Sequence, residues 1–548
     1  MKKTGIFIIS IFTAVCMNAQ TAQDALLFSS YDNEGSARTM AMGNAFTALG
    51  GDLGGTALNP AGSAVAKYSQ FAFTSALSVS TNTTLGVSPY SDGSLPYFER
   101  QMKSNKTTFA LPNFGVSFNW DTHRTSGLKN MSFGFILNRT ASWGNDIYAR
   151  GQNSTTSFMG EMAYDATVNG YLGSNLGANA AYSSMPWKPV TGYQSGMIST
   201  FGGYDDQFVG ASEVIFDNGD IALGGPLEQT YGSLETGSRY DYLFNVAANI
   251  SDMIYIGANL AMTSLEYNYD QYFREQAIDP ADFEIALDNG DKMYFKDMLY
   301  NYSYSATGTG YYAKFGVIVT PASWLRIGGA IQTPTINTIS EAWQEHGETS
   351  YNDSYYDAYA TSPEGKSSYS MVSPFRANFG AAITFGSFGV LSADYEYCDY
   401  AKMKYIAAGI SDRDYFEAVN EDIRATMGAV HEFRAGAEIK PFAGVAVRAG
   451  YGVASAAQKN GYDAYTDSYY ALPKNLTHNA SLGIGYSSKG SFFADFAMRR
   501  TFLEKEYFMP YADYIFNEDG SVNENAYAPE ISNSRKLWKV LLTLGWRF

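Results

Sequence analysis

The chain has 548 residues, of which 45% are hydrophobic and 16% aromatic, with 43 Tyr, 35 Phe and 53 Gly but only 16 Pro. Its 37 Lys and Arg against 54 Asp and Glu give a formal net charge of −17 and a pI near 4.7. That balance repels phosphate backbones and excludes nucleic acid as a partner. Two cysteines exclude a disulfide framework or a cysteine-based zinc site, and beyond the N-terminus no apolar run reaches the roughly 18 residues of a spanning helix.

The N-terminus reads as a secretory signal peptide, residues 1–20. Lys2 and Lys3 form a basic start, Gly5 to Met17 an apolar stretch, and Asn18-Ala19-Gln20 a small or polar cleavage region. A lipoprotein acylated on Cys16 is the rival reading, but Val15 is a poor fit for the residue before such a cysteine. Cleavage after Gln20 removes Cys16 and leaves Cys398, so no intramolecular disulfide can form. Residues 21–67 come next, a run of small residues whose first half is helical. They contain Ser36 to Phe46, Gly50-Gly51-Asp52 and Asn59-Pro60-Ala61-Gly62. The segment is too polar, and too poor in alternation, to be a membrane strand.

From residue 68 the pattern changes to period two. Strands are predicted near 68–82, 107–120, 130–143, 239–250, 253–268, 301–320, 324–339, 368–385, 388–401, 431–441, 443–455, 475–487, 491–503 and 535–548. The last is the clearest. Trp538, Val540, Leu542, Leu544 and Trp546 share one face, opposite Lys539, Leu541, Thr543, Gly545 and Arg547. The two tryptophans are about 26 Å apart at ~3.3 Å per residue, so a tilted strand sets them at the two edges of a membrane's apolar layer. A soluble sandwich strand has no need of Trp at both ends. The connections alternate between short links, such as Ser251-Asp252 and Gly386-Ser387, and seven long loops, of which 144–238 is the longest. This asymmetry and the even strand count predict an all-β fold, a 14-stranded antiparallel transmembrane β-barrel over 68–548. The strand ending at Phe548 is the kind of terminus that barrel-assembly machinery reads.

Such a barrel is too wide for its own side chains to fill, so residues 21–67 are expected inside the lumen as a plug. Arg326, Asp394, Glu396, Glu432, Arg434, Glu438, Arg448, Asp495 and Arg499 fall on polar strand faces and are expected to pair with one another or with the plug. Arg139 falls on the face of Phe133, Phe135 and Leu137, which should meet lipid, and is expected to snorkel to the interface. In the loop before the sixth strand, Asp279-Pro280 reads as a helix start. Phe283, Ile285, Leu287, Phe295 and Met298 beyond it need cover from a neighbouring loop or from an apolar ligand. Acidic turns at Asp217–Asp220, Asp288–Asp291 and Asn517–Gly520 have calcium-like composition, but none completes an EF-hand loop, and solvated turns are the preferred reading. No metal or cofactor is expected. His123, His346, His431 and His478 are the only histidines, with no close pair and no Gly-x-Ser-x-Gly elbow, so enzyme activity is not expected.

At Asn59-Pro60-Ala61 the sequence resembles the outer-membrane long-chain fatty-acid transporter family (FadL-like), whose N-terminal hatch carries this tripeptide. Weaker similarities follow in family order: Lys314-Phe315-Gly316 through Ala330 to Thr333-Pro334, Pro374 through Gly380 to Ala393-Asp394-Tyr395, and Phe433 through Glu438 to Tyr451. Loop 144–238 is longer than the family's usual one, and Ser63 follows Gly62 where a bulky apolar residue is common. The resemblance implies uptake of hydrophobic molecules such as long-chain fatty acids or aromatic hydrocarbons, with lateral release through a kink in the third strand, near Asn138-Arg139. The expectation is a monomeric transporter in the Gram-negative outer membrane, in contact with its lipid. The alternative is a structural or receptor barrel.

Overall fold

The computed structural model describes residues 20–87, 98–215, 221–287, 290–407, 409, 413–463, 468–511 and 529–548. The signal peptide thus lies outside the described residues except for Gln20, as do Asp217–Asp220, Asp288 and Asn289 and Asn517–Gly520 of the acidic turns. Fourteen antiparallel strands close into one barrel. They are β1 (Gln70–Gly86), β2 (Met102–Asp121), β3 (Leu128–Asn153), β4 (Leu227–Ile250), β5 (Ile254–Ala277), β6 (Lys292–Ala322), β7 (Leu325–Gln332 and Ile336–Tyr351), β8 (Gly365–Val372 and Arg376–Phe385), β9 (Gly389–Asp399), β10 (Ala429–Phe442), β11 (Val445–Ser455), β12 (Leu476–Ser487), β13 (Phe492–Phe502) and β14 (Ile531–Arg547). Pro334 and Pro374 fall at the breaks in β7 and β8, where a residue without an N–H interrupts the ladder. The ring is sealed by β14 against β1, from Arg547 opposite Gln70 to Ile531 opposite Gly86.

The alternation in the sequence becomes two faces. Outward residues form an apolar belt, for example Leu77, Phe109, Leu260, Phe315, Phe379, Leu482 and Leu542, all exposed. Aromatic rings gather at its rims, with Trp120, Trp324, Phe442, Trp546 and Phe548 exposed toward the short turns. Tight turns are possible there because Ser251 and Asp252 both adopt left-handed conformations, φ 57° each. Inward residues are polar and buried.

Several strands run farther toward the long-loop end than the sequence pattern indicated. β3 continues to Asn153 rather than 143, and β4 begins at Leu227 rather than 239. Above the membrane both faces meet water or loops, so no apolar face remains to mark period two. The predicted helix start at Asp279-Pro280 is a single 3-10 turn, Pro280–Asp282, with the Asp279 side chain accepting from Ala281 N. A short strand, Glu284–Ala286, follows and pairs with the start of β6. One turn was capped as read, but cross-strand pairing outcompeted its extension.

Candidate functional site

Residues 20–67 touch inward faces around nearly the whole ring, which is possible only from inside it. The segment comprises α1 (Ala22–Ser29), α2 (Ala37–Ala41) and two 3-10 turns, Gly54–Ala57 and Pro60–Val65. Both α-helices start from capping boxes, Thr21 with Asp24 and Ser36 with Thr39, so these short helices satisfy their own first donors. Backbone carbonyls with no strand partner are met by long side chains from the wall. Arg239 reaches Phe28 O and Ser30 O, Lys314 reaches Ala57 O, Arg326 reaches Leu49 O and Arg376 reaches Ser29 O, at 2.6–2.9 Å. Asn59 is fully buried. It caps the second 3-10 turn by accepting from Ala61 N, while its amide donates to Thr47 O at 2.7 Å and Val317 O at 3.1 Å. Pro60 occupies the first position of that turn, where its fixed φ suits the helix and no donor is lost. The wall comes close enough for this because the facing positions are glycine. A Cβ on Gly257, Gly316, Gly328, Gly436 or Gly450 would run into the backbone or the Asn59 side chain of the plug.

The polar faces read from the sequence are brought together as charge clusters. Glu438 binds Arg38 of the plug and Arg448, and Arg448 continues to Asp495. Glu396 binds Arg376 at 3.2 Å and Arg434 at 2.8 Å, and Glu432 lies 3.8 Å from Arg434. Asp394 accepts from Thr47 N at 2.7 Å, and Arg499 binds Asp32 of the plug. Sequence reasoning missed Asp32, Glu34, Arg38, Lys314, Arg376 and Lys539. Lys539 was on the polar face of the clearest strand, but a single strand carries no sign of its partners.

Arg139 corrects the sequence reading: it faces the lumen, 4% exposed, with its guanidinium on Glu34 at 2.6 Å. Thr140 has no opposite residue on β4, and this bulge reverses the faces of the residues beyond it. A second bulge lies beside it. Ser75 of β1 sits opposite both Leu111 and Pro112 of β2, and Pro112 has no N–H. Between these irregularities the wall forks. β2 and β3 pair from Asp121 opposite Asn130 only as far as Asn113 opposite Asn138. Beyond the fork β3 turns inward behind β1, where Asn82 donates to Asn145 Oδ1 and Asp146 O and Thr84 to Tyr148 O. The outer half of β2, including exposed Phe109 and Leu111, is left with one edge lacking a strand partner. At the crotch the plug takes β2's place. Asp32 N donates to Thr140 O at 2.8 Å, Glu34 N to Arg139 O at 3.2 Å, and Asn138 to the Asn33 side chain at 2.6 Å. The plug is therefore part of the wall at the one point where the wall is open.

Two apolar cores lead to this point from the loop end. Phe283, Phe295 and Met298 are fully buried in the outer one, with Phe158, Met159 and Met162 of α3 (Phe158–Val168) in loop 154–226, while Ile285 packs against it half-buried. Leu287 is half-buried at the hairpin end. The neighbouring loop thus supplies the cover these residues require. The inner core surrounds α1. Phe28 meets Trp143 and Tyr267 edge-on at 6.5 and 6.0 Å, and Trp143 stands on β3 just beyond the bulge. Burial raises the Asp24 carboxyl of α1 to about 6, partly offset by its hydrogen bonds from Thr21. A raised carboxyl opposes docking while ionised, so α1 should dock more firmly as pH falls from about 6 toward the ordinary value near 4. Hydrogen exchange of residues 22–29 should show that rise in protection, and Asp24→Asn should abolish its pH dependence.

No protein-family model matches the sequence, and no curated protein matches it. Among solved structures, a Pseudomonas aeruginosa FadL homologue aligns with 94% of this chain and 99% of its own, at 11% identity and a TM-score of 0.50. The Pseudomonas putida toluene transporter TodX aligns with 94% of this chain and 99% of its own, at 11% identity and TM-score 0.48. The Ralstonia pickettii toluene transporter TbuX aligns with 94% and 98%, at 12% and 0.43. The first of these likenesses establishes a shared fold.

Proposed function

We propose that this protein is an outer-membrane channel for the uptake of hydrophobic small molecules, of the size and polarity of long-chain fatty acids or aromatic hydrocarbons. The apolar belt with aromatic rims fits a bilayer, and the short turns fit the periplasmic side. The observation that carries the reading is the fork. A polar nutrient needs an axial pore, whereas a hydrophobic one gains by leaving sideways into lipid. Here apolar residues line the way from the outer loops to Trp143 at a gap between β2 and β3, and plug residues 32–34 close that gap by hydrogen bonding to Arg139 and Thr140. Ligand entering the inner core must displace Phe28 of α1. Residues 32–34 follow α1 directly, so filling the core and freeing the fork become one movement. The fold shared with the FadL homologue is consistent with this reading.

The test is a reversible lock. Asn33→Cys with Asn138→Cys replaces a 2.6 Å side-chain contact by a disulfide across the fork, and the native Cys398 is buried and out of the way. Cells expressing the unmodified protein should take up labelled oleate or toluene several-fold faster than cells lacking it. The oxidised double variant should fall to the background rate and recover on reduction. Equal uptake with and without the protein would overturn the transport reading in favour of a scaffold or receptor barrel. Full uptake by the locked form would retain transport but remove the fork from it.

A further inference from the structure

A group of cations lies on the outward face of the barrel, where no lumen function uses it. Along β13 the outward residues are Phe492, Ala494, Phe496 and Met498, then Arg500. Along β14 they run from Trp546 through Leu544, Leu542 and Val540 to Trp538, then Lys536. Along the outer half of β2 they are Leu111, Phe109, Thr107 and Asn105, then Lys103. Each cation thus follows directly on an apolar or neutral stripe, at or just beyond the rim on the long-loop side. The register brings them together. Arg500 is opposite Trp538 and Phe502 is opposite Lys536, which makes Arg500 and Lys536 diagonal neighbours roughly 7–8 Å apart. Across β1, Lys536 faces Thr81 while Lys103 faces Thr83, so two threonines bridge the cations.

None of the three takes part in an ion pair among the described residues, although Glu504 is exposed in the connection after β13. Arg500 is held rather than loose. Its guanidinium lies 4.9 Å from the Phe502 ring and 5.0 Å from the Trp538 ring, which fixes its plane, and its buried Nε has no acceptor. A fixed guanidinium with unused N–H groups matches a phosphate, and two flanking ammonium groups match a second charge beside it. Beneath them Val79, Met498 and Val540 offer an apolar wall for acyl chains. On a chain of net charge −17, such a sector is not a by-product of general basicity.

We propose that Lys103, Arg500 and Lys536 form a docking site for the phosphate groups of a phosphorylated glycolipid in the outer leaflet. The site requires the long-loop end to face outward and is independent of what the lumen carries. Three cations near a lipid surface contribute about a fivefold gain in binding each, on the order of a hundredfold together.

The full-length barrel in detergent, supplied with bis-phosphorylated lipid A or with the same lipid enzymatically dephosphorylated, should retain the phosphorylated form about a hundredfold better in native mass spectrometry. Lys103→Gln/Arg500→Gln/Lys536→Gln should erase that preference, whereas Lys103→Arg/Arg500→Lys/Lys536→Arg should keep most of it. Heat-modifiable electrophoretic mobility reports that each variant is folded. If the triple glutamine variant fails to fold, Arg500→Gln alone should still cut the preference about fivefold. Retention indifferent to lipid phosphate, or unchanged in the folded glutamine variants, would overturn the proposal. Displacement of lipid by millimolar inorganic phosphate would also overturn it, by identifying a free-anion site.

Discussion

A chain lacking residues 21–67, exported behind its own leader, is expected to insert as a barrel and to conduct small ions several-fold better than the intact protein. The barrel should survive because its closure does not use the plug. The β14–β1 ladder runs the full seam, and every strand keeps at least one hydrogen-bonded neighbour on each side up to the fork. The inward charges would lose partners but gain water, so Arg139, Arg499 and Lys539 would be solvated rather than stranded. The glycine belt at Gly257, Gly316, Gly328, Gly436 and Gly450, which now touches plug atoms, would become the bare wall of a water-filled passage. Selective uptake of oleate or toluene should be lost at the same time, because α1 and residues 32–34 would no longer link the inner core to the fork. Single-channel recording decides the matter. Conductance no greater than that of the intact chain would mean that the loop 154–226 core closes the barrel by itself.

The membrane wall was legible in the sequence because lipid imposes a strict rule: any strand crossing it must alternate. All fourteen strands were found where one face meets hydrocarbon, and their outer extensions were missed where it does not. Faces were also legible, since Glu438, Arg448 and Asp495 could be assigned inward from period two alone. Partners were not, because period two locates a residue on its own strand only. Lys539 joining Asp32 and Glu34 spans more than 500 positions of sequence. The fork was hidden for a more local reason. Arg139 obeys the alternation up to Leu137, and a single extra residue, Thr140, reverses it. Pro112 was the one overt sign, a residue without an N–H well inside a predicted strand. The dome over the loop end was half legible: Phe283, Phe295 and Met298 demanded cover, but nothing in their spacing named α3 as the cover.

Lys539→Met is expected to loosen the plug at neutral pH without disturbing the barrel. Lys539 Nζ lies 2.9 Å from Asp32 Oδ2 and 2.6 Å from Glu34 Oε1, and Glu34 is fully buried. Burial pushes both carboxyls up, yet the cations outweigh it. Arg499 and Lys539 hold Asp32, and Lys539 and Arg139 hold Glu34, below the ordinary carboxylate range. In the unmodified protein, therefore, this part of the docking energy is present above the ordinary carboxylate value and is lost only in strong acid. Methionine matches the length of lysine and fits the space, but it leaves two neighbouring carboxylates sharing Arg499 and Arg139. Removing one partner from such a buried cluster costs about 3–5 kcal/mol, which raises the undocked population by roughly two to three orders of magnitude. The same residues clasp the fork through Asp32 N and Glu34 N, so brief openings should become frequent in single-channel records at pH 7. Without their ammonium partner the carboxyls bind protons more readily, and protonation removes the repulsion. Openings of Lys539→Met should therefore become rarer as the pH is lowered, while the intact protein stays quiet throughout. A variant as quiet as the parent at pH 7 would show that the cluster does not hold the plug. Openings that persist unchanged in acid would place the defect in packing, not in charge.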